Sequence, residues 1–134
     1  MWTAANTPAS NKDSRCVNTR FLQHHAPRSE GICTVFVHNV FFKWKTGTTS
    51  GEIDEMAEAL GTLPGLVPSI RSYTFGRDLG LGQPGASWDF AIFAQFDDED
   101  GWRAYLSDPE HEAVRDEKLA PRIAERASVQ FIVN

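Results

Sequence analysis

The stretch that decides the fold is Thr34-Val-Phe-Val-His-Asn-Val-Phe-Phe-Lys-Trp44, a run of β-branched and aromatic residues. Such residues favour extended backbone, so the run predicts a strand. Successive side chains of a strand point to opposite faces. One face therefore carries five alternate residues: Phe36, His38, Val40, Phe42 and Trp44. The opposite set is also largely apolar, so we expect both faces of this strand to be covered.

Two helical regions are predicted from capping patterns. Thr49-Ser-Gly-Glu52 has the spacing of a capping box and precedes apolar residues at helical intervals. Gly61 and Pro64-Gly65 predict the end of this first helix. Asp97 is placed as the N-cap of a second helix. Asp108-Pro109 then restarts that helix, with the aspartate as N-cap and the proline at the first helical position.

Three further strands are predicted. Ile70–Phe75 and Trp88–Phe96 flank the glycine-rich segment 76–87, which indicates a hairpin with a flexible loop. The segment 127–133 supplies the last strand. The return arm of the hairpin is expected to be buried on both sides, and its alternate residues share one face: Trp88, Phe90, Ile92, Ala94 and Phe96.

The predicted order is β-α-β-β-α-β, which indicates an α+β protein of ferredoxin-like strand order. In this arrangement a four-stranded antiparallel sheet carries both helices on one face. The other face would expose an apolar surface too large for a soluble monomer. Two such sheets packed together across a two-fold axis would cover it, so we expect a homodimer.

Composition limits the remaining classes of function. The chain has 134 residues and a formal charge of −5; residues 1–33 hold four basic and two acidic side chains (+2), which leaves −7 for the rest. An acidic domain argues against nucleic acid as a partner. No apolar run suits a membrane span or a signal peptide, so we expect no membrane partner and a cytoplasmic location. Residues 1–31 are expected to be a disordered tail, with a transit segment or an over-long start assignment as alternatives.

We expect neither a metal ion nor a cofactor. Cys16 and Cys33 lack the spacing of metal ligands. His24 and His25 are adjacent, and adjacent side chains rarely converge on one ion. The acidic run 97–100 is explained by helix capping. The glycine-rich loop formally satisfies GxGxxG, but a strand follows it where a dinucleotide site needs a helix.

Four motifs together resemble the stress-responsive A/B barrel (Dabb) family. They are Val37-His-Asn-Val-Phe-Phe-Lys-Trp-Lys45, Leu63-Pro-Gly-Leu-Val-Pro68, Phe75-Gly-Arg-Asp78 and Tyr105-Leu-Ser-Asp-Pro-Glu-His111. The resemblance assigns residues 32–134 to a domain of this family. It implies a dimeric α/β barrel in which two ferredoxin-like sheets enclose a pocket in each subunit.

The resemblance also implies site residues. A plant member of the family is a polyketide cyclase that closes a ring by aldol condensation without a cofactor, and its working Tyr and His fall on Tyr105 and His111. A histidine of the first strand falls on His38. Two positions depart from the family: Asp108 replaces the first His of a His-Pro-x-His motif, and Leu60 replaces a pocket Tyr of the cyclase.

These residues suggest particular chemistry. His111 would lie at the third position of a helix, where the dipole favours a neutral, basic ring; alternatively it hydrogen-bonds Asp108 or a backbone group. Tyr105 could hold a substrate carbonyl or simply bury its ring beside Trp102. His38 could line the pocket or be a satisfied core histidine. We take Tyr105 and His111 as candidate catalytic residues and expect five binding residues: His38, Phe42, Trp44, Phe90 and Asp108.

Three functions follow as hypotheses. The first is a protein that binds a small hydrophobic or polyketide-like molecule, with cofactor-free cyclase or lyase activity. The second is a non-enzymatic stress-response or scaffold dimer, which predicts a pocket filled by its own side chains. The third is an α/β-barrel monooxygenase, without cofactor or with haem bound by His38 or His111. Sequence alone does not identify the ligand.

Overall fold

The computed structural model describes residues 33–134, so the predicted tail and the pair His24-His25 lie outside the described residues. Its strands form one antiparallel sheet in the order β2-β3-β1-β4. The elements run in chain order as β1 (Val35–Trp44), α1 (Ser50–Leu66), β2 (Ser72–Arg77), β3 (Phe90–Phe96), α2 (Glu99–Ser107), α3 (Pro109–Val114), a π-helical turn (Arg115–Leu119), a 3-10 turn (Ala120–Arg122) and β4 (Ile123–Val133). The predicted ferredoxin-like fold is confirmed.

The core lies between the helices and one face of the sheet. β1 is one of the two inner strands, and its inward residues alternate as predicted, with Phe36, Val40 and Phe42 each less than 10% exposed. They pack against the buried face of α1, where Met56 and Leu63 are fully buried. Most side chains on this inward face are apolar, and the buried His38 is a polar exception.

Helix α1 begins as predicted and ends later than predicted. Thr49 Oγ1 accepts a hydrogen bond from the Glu52 amide at 3.2 Å, and the Glu52 carboxylate accepts one from the Thr49 amide at 2.8 Å. The helix then continues past Gly61 to Leu66, with Pro64 inside its last turn. The prediction that Gly61 and Pro64 end the helix is therefore wrong. Leu63 and Val67 are buried on either side of the proline, and their packing offsets the one hydrogen bond that proline cannot donate.

The hairpin forms as predicted, with shifted strand bounds. β2 starts at Ser72, and β3 starts at Phe90. Trp88 does not join the inward row of β3: its ring lies 6.4 Å from that of Phe41 and under Lys43, on the outward face of β1. The chain is irregular here because the carboxylate of Asp89 accepts a hydrogen bond from the Trp44 amide at 2.9 Å.

Two predicted boundaries in the C-terminal half are also wrong. The N-cap of α2 is Asp98, which accepts from the Gly101 amide at 2.8 Å, whereas Asp97 is exposed and pairs with Arg71 at 3.3 Å. β4 begins at Ile123, four residues before Ala127, because it pairs with β1 along nearly its whole length. A long neighbouring strand supplies hydrogen bonds that a local pattern does not reveal.

The outward face of the sheet is apolar and only partly covered. Phe93 of β3 is 46% exposed, so in the single chain the expectation that β3 is buried on both sides is met on the inward face alone. Three outward residues of β4 are about equally exposed: Val129, Phe131 and Val133. No helix within residues 33–134 is long and apolar enough to cross a membrane.

Candidate functional site

Tyr105 and His111 form the centre of a buried polar cluster. Tyr105 is in the last turn of α2 and His111 is the third residue of α3, and their ring centroids are 4.0 Å apart. Asp108 separates the two helices with extended backbone and caps α3 by accepting from the Glu110 amide at 2.9 Å. The predicted cap at Asp108, with Pro109 at the first helical position, is confirmed. This break in the helix is what turns both rings toward each other.

His111 is kept neutral by its surroundings. It is 7% exposed, and burial lowers its pKa, while the carboxylates of Asp108 and Glu112 act in the opposite direction. The sequence predicted a neutral ring from the helix dipole, whereas burial is the larger cause here. Its Nδ1 lies 3.4 Å from the carbonyl oxygen of Leu106. Because a carbonyl oxygen only accepts, Nδ1 carries the proton and Nε2 keeps its lone pair.

Tyr73 belongs to the same cluster and was missed by sequence reasoning. Its hydroxyl lies 3.0 Å from that of Tyr105, and either group can donate. Burial raises the pKa values of both tyrosines, so both phenols stay protonated at neutral pH. The alternation of Tyr73 and Phe75 in β2 was the available signal, because it places both rings on the inward face beside β3.

His38 lies on β1 at the edge of this cluster. Its ring centroid is 6.3 Å from that of Tyr105 and 5.7 Å from that of Trp102. Gln130 Nε2 donates a hydrogen bond to His38 Nδ1 at 2.7 Å, so the neutral ring carries its proton on Nε2. Burial, with a smaller contribution from the charge of Arg126, lowers the pKa of His38 to about 4. The two histidines are therefore neutral and hold opposite tautomers.

Strand β4 borders the cluster on one side. The helices pack against β1, β2 and β3. Residues directly opposite in an antiparallel pair share a face, so the β4 partners of the inward residues of β1 also face the helices. Those partners are Ile132, Gln130, Ser128 and Arg126, and all but the half-buried Gln130 are exposed. These β4 side chains border the cluster, in which His38 and Tyr105 are themselves buried.

The other predicted binding residues lie elsewhere. The ring of Trp44 stacks on that of Phe42, with centroids 5.8 Å apart, and lies tilted against that of Phe90, with centroids 5.6 Å apart. Phe42 and Phe90 are buried in the core, four or more residues along the strands from the position of His38. The structure thus brings Tyr105, His111 and His38 together, whereas Phe42, Trp44 and Phe90 form a separate aromatic group.

A cleft away from this cluster lies at the hairpin loop. An open cleft of about 340 Å³ lies beside the hairpin loop, lined in part by Lys43, Asp78 and Asp89. It does not adjoin the Tyr105–His111 pair. Within the described part of the chain, no three His, Cys, Asp or Glu side chains converge as a metal site would require.

Comparison with solved structures gives the same fold. A dimeric ferredoxin-like protein of unknown function from Thermobifida fusca YX is 35% identical, with a TM-score of 0.69 over 81% of this chain and 100% of that one. A Dabb family protein with a ferredoxin-like fold from Mesorhizobium loti is 16% identical, with a TM-score of 0.64 over 75% of this chain and 98% of that one. The hydroxynitrile lyase of Passiflora edulis is 20% identical, with a TM-score of 0.67 over 75% of this chain and 94% of that one.

The family comparison covers most of the chain. A search of curated proteins found no match. The model of the family described as Stress responsive A/B Barrel Domain matches residues 36–133, which include every side chain of the polar cluster. The resemblance stated from four short motifs is thereby confirmed: this chain belongs to the stress-responsive A/B barrel (Dabb) family.

Proposed function

We propose that this protein binds a small hydrophobic or polyketide-like molecule beside Tyr105 and His111 and catalyses proton transfer next to a carbonyl group without a cofactor. The observation that carries the proposal is that the neutral His111 ring lies with its centroid 4.0 Å from that of Tyr105, whose hydroxyl is itself hydrogen-bonded to Tyr73. A histidine acts as a general base only in its neutral, unprotonated form, and the lowered pKa values of both buried histidines favour that form.

Because they hold opposite tautomers, the two histidines have different roles: His111 is the base, and His38 is a hydrogen-bond donor. The lone pair of His111 Nε2 accepts a proton from the carbon next to a substrate carbonyl. The resulting enolate oxygen is stabilised by O–H and N–H donors, for which Tyr105 and His38 Nε2 are available. Arg126, exposed on the inward flank of β4, adds positive charge that acts on both Tyr105 and His38.

Ring closure completes a balanced aldol step. The enolate carbon attacks a second carbonyl of the same molecule, a C–C bond forms, and the new alkoxide takes the proton held by His111. A lyase reaction needs the same base: removal of the hydroxyl proton of a cyanohydrin releases an aldehyde and cyanide. The lyase neighbour shows the fold alone at its level of identity, so the support here comes from the polar cluster.

The working unit is proposed to be a homodimer. The relative from Thermobifida fusca is described as dimeric, and it matches this chain at 35% identity over its whole length. The half-exposed Phe93 and Phe131 on the outward face give a second copy an apolar surface to cover. Because the polar cluster lies on the inward face, each subunit carries its own site.

The test is turnover of small β-keto thioesters, followed by mass spectrometry of cyclised products, with mandelonitrile cleavage as a parallel lyase assay. We expect His111→Ala to lower turnover by about 100-fold or more because the base is lost. Tyr105→Phe keeps the ring and should lose only what the oriented hydroxyl contributes. Leu81→Ala in the exposed hairpin loop is the control and should match wild type.

Other outcomes support the alternative functions. Equal rates for wild type and His111→Ala would exclude His111 as the base. No turnover of either substrate class by folded, dimeric protein favours the non-enzymatic stress-response dimer. A Soret band in purified protein, lost in His38→Ala or His111→Ala, supports a haem-using monooxygenase.

A further inference from the structure

The only two tyrosines of the chain are hydrogen-bonded to each other inside the polar cluster. The hydroxyl oxygens of Tyr73 in β2 and Tyr105 in α2 are 3.0 Å apart, and each residue is less than 10% exposed. Within residues 33–134, neither hydroxyl makes another hydrogen bond. Each phenol carries one proton, so one proton lies between the two oxygens and the other is left for a different acceptor.

The surroundings of the two rings indicate which tyrosine holds the remaining proton. Besides Tyr105, the aromatic ring beside Tyr73 is that of Phe75, at a centroid distance of 6.1 Å. Tyr105 instead adjoins the imidazoles of His111 and His38, at 4.0 and 6.3 Å. An unpaired O–H group costs more among apolar groups than beside polar ones. We therefore expect Tyr73 to donate to Tyr105, whose own proton remains free.

Negative charge is also easier to place on Tyr105 than on Tyr73. Burial raises the pKa of Tyr73 well above its usual value, and the contact with Tyr105 adds to that rise. Burial raises the pKa of Tyr105 too, but the hydrogen bond from Tyr73 and the positive charges of Arg126 and Arg115 act in the opposite direction. Charge that develops when Tyr105 gives its proton to another oxygen is therefore stabilised where it forms.

We propose that Tyr73 is a positioning residue for Tyr105: its hydroxyl donates to the Tyr105 oxygen and so directs the Tyr105 proton toward the oxygen of a bound substrate. The inference rests on the proposed function, in which Tyr105 stabilises an enolate oxygen. Tyr73 itself does not touch the substrate. Two hydrogen bonds in series polarise each other, so the charge of the enolate is shared by both phenols.

The kinetic test uses Tyr73→Phe in the full-length chain, which keeps the ring and removes only the hydroxyl. With β-keto thioesters, we expect kcat to fall by about 10-fold and KM to stay unchanged, because the lost interaction strengthens only in the transition state. In the Tyr105→Phe background, Tyr73→Phe should have no further effect, since Tyr73 acts through the Tyr105 hydroxyl. Equal losses in both backgrounds would mean a merely structural role and would overturn the inference.

A matched control removes a hydroxyl from the next residue of the same strand. Thr74 is exposed on the opposite face of β2, so Thr74→Val should keep the wild-type kcat. Wild-type kcat in Tyr73→Phe overturns the inference and leaves the proposed reaction intact. A folded wild-type chain that turns over neither substrate class overturns the proposed function, and the role of Tyr73 with it.

A second measurement does not depend on turnover. With 3-fluorotyrosine at both positions, fluorine NMR follows the ionisation of each ring, and circular dichroism checks the fold at each pH. We expect Tyr105 to ionise at lower pH than Tyr73 in wild type, and at higher pH in Tyr73→Phe than in wild type, because the donor to its oxygen is lost. The other titratable groups around Tyr105 are the same in both proteins: His38, His111, Arg115 and Arg126.

Two results of this titration contradict the inference. The first is Tyr73 ionising before Tyr105 in wild type, a measurement that needs no substitution and so decides even if Tyr73→Phe does not fold. The second is a Tyr105 pKa that is unchanged or lower in Tyr73→Phe, which would show that Tyr73 does not donate to it.

Discussion

The two faces of β1 differ in whether their buried polar side chains have hydrogen-bond partners. On the inward face, His38 has Gln130 as a hydrogen-bond partner, and the surrounding apolar residues are closed over by the helices. On the outward face, Asn39 Oδ1 has no hydrogen-bond partner in the described part of the chain, and the neighbouring Phe93 and Val129 are about half exposed. The inward face is thus closed within one chain, whereas the outward face keeps apolar residues half exposed, as the proposed homodimer would need.

This difference separates the candidate site, which one chain forms by itself, from the outward face, which is assigned to the proposed dimer interface. The candidate site, with Tyr105, His111 and His38, is formed within the single chain and should persist in a monomer. The outward residues Phe93, Val129 and Phe131 contribute less to the stability of one chain than the inward core does, because each is about half exposed. Substitutions on the two faces should therefore change different measurable quantities.

The largest effect is expected for Phe131→Asp on the outward face. Phe131 is 46% exposed in the single chain, and a carboxylate buried there in the dimer would be unpaired at a cost of several kcal/mol. Sedimentation at about 5 μM should change from roughly twice 14.9 kDa to a single chain. Leu81→Asp, in the exposed loop, should remain dimeric; a dimer in both variants would contradict the role given to this face.

A core substitution on the inward side should change stability itself. Leu63 is fully buried, and Leu63→Ala should lower the free energy of unfolding by about 2–5 kcal/mol through lost burial and a cavity. Leu66→Ala, three residues later and 50% exposed, is the matched control, with an expected loss below about 1 kcal/mol. Urea titration measures both; equal losses would mean that the inward face is not the main source of stability.

The buried His38 should make stability depend on pH. Its pKa is about 4 in the folded chain, against 6.5 for an unperturbed histidine. Between these values the unfolded chain binds more protons, so the free energy of unfolding falls as pH decreases from 6.5 toward 4. His38→Gln keeps a polar mate for Gln130 and should lose this part of the slope. Parallel curves for the two proteins from pH 7 to about 4.5 would show that His38 does not contribute.

The smallest effect is expected for Asp108→Asn, which changes the charge near His111 while keeping the cap. Asparagine also caps helices, so stability should change by less than about 0.5 kcal/mol. Removing the carboxylate removes one influence that raises the pKa of His111, so that pKa should fall further. NMR titration of the imidazole measures the shift. Glu110→Gln, a neighbouring carboxylate without this influence, should leave the pKa of His111 where it is.

Local signals in the sequence predicted the helices and strands correctly but misplaced several of their boundaries. The capping box at Thr49 and the Asp108-Pro109 break were correct because both depend on hydrogen bonds within a few residues. Pro64 was taken as the helix end, yet buried Leu63 and Val67 hold the helix beyond it. The cap was placed one residue early at Asp97, where consecutive aspartates give the same local pattern.

The candidate site was predictable only in part. The family resemblance pointed to Tyr105, His111 and His38, and the structure brings these three together. Tyr73 and Gln130 were missed because their roles depend on pairing between strands, through contacts that are 32 and 92 residues apart in the chain. Phe42, Trp44 and Phe90 were expected at the site because they share a face with His38, but they lie at another position along that face.

The sequence by itself determined the element order, the alternation that places His38 and Asn39 on opposite faces, and the family. These follow from short-range chemistry: side-chain period, capping and turn residues. Only the tertiary structure decided which tautomer each histidine holds, because that depends on Gln130 and the Leu106 carbonyl, which the fold brings to the rings. It also decided that Asn39 Oδ1 is buried with no hydrogen-bond partner among residues 33–134, since burial and pairing across a sheet are set by strands distant in the chain.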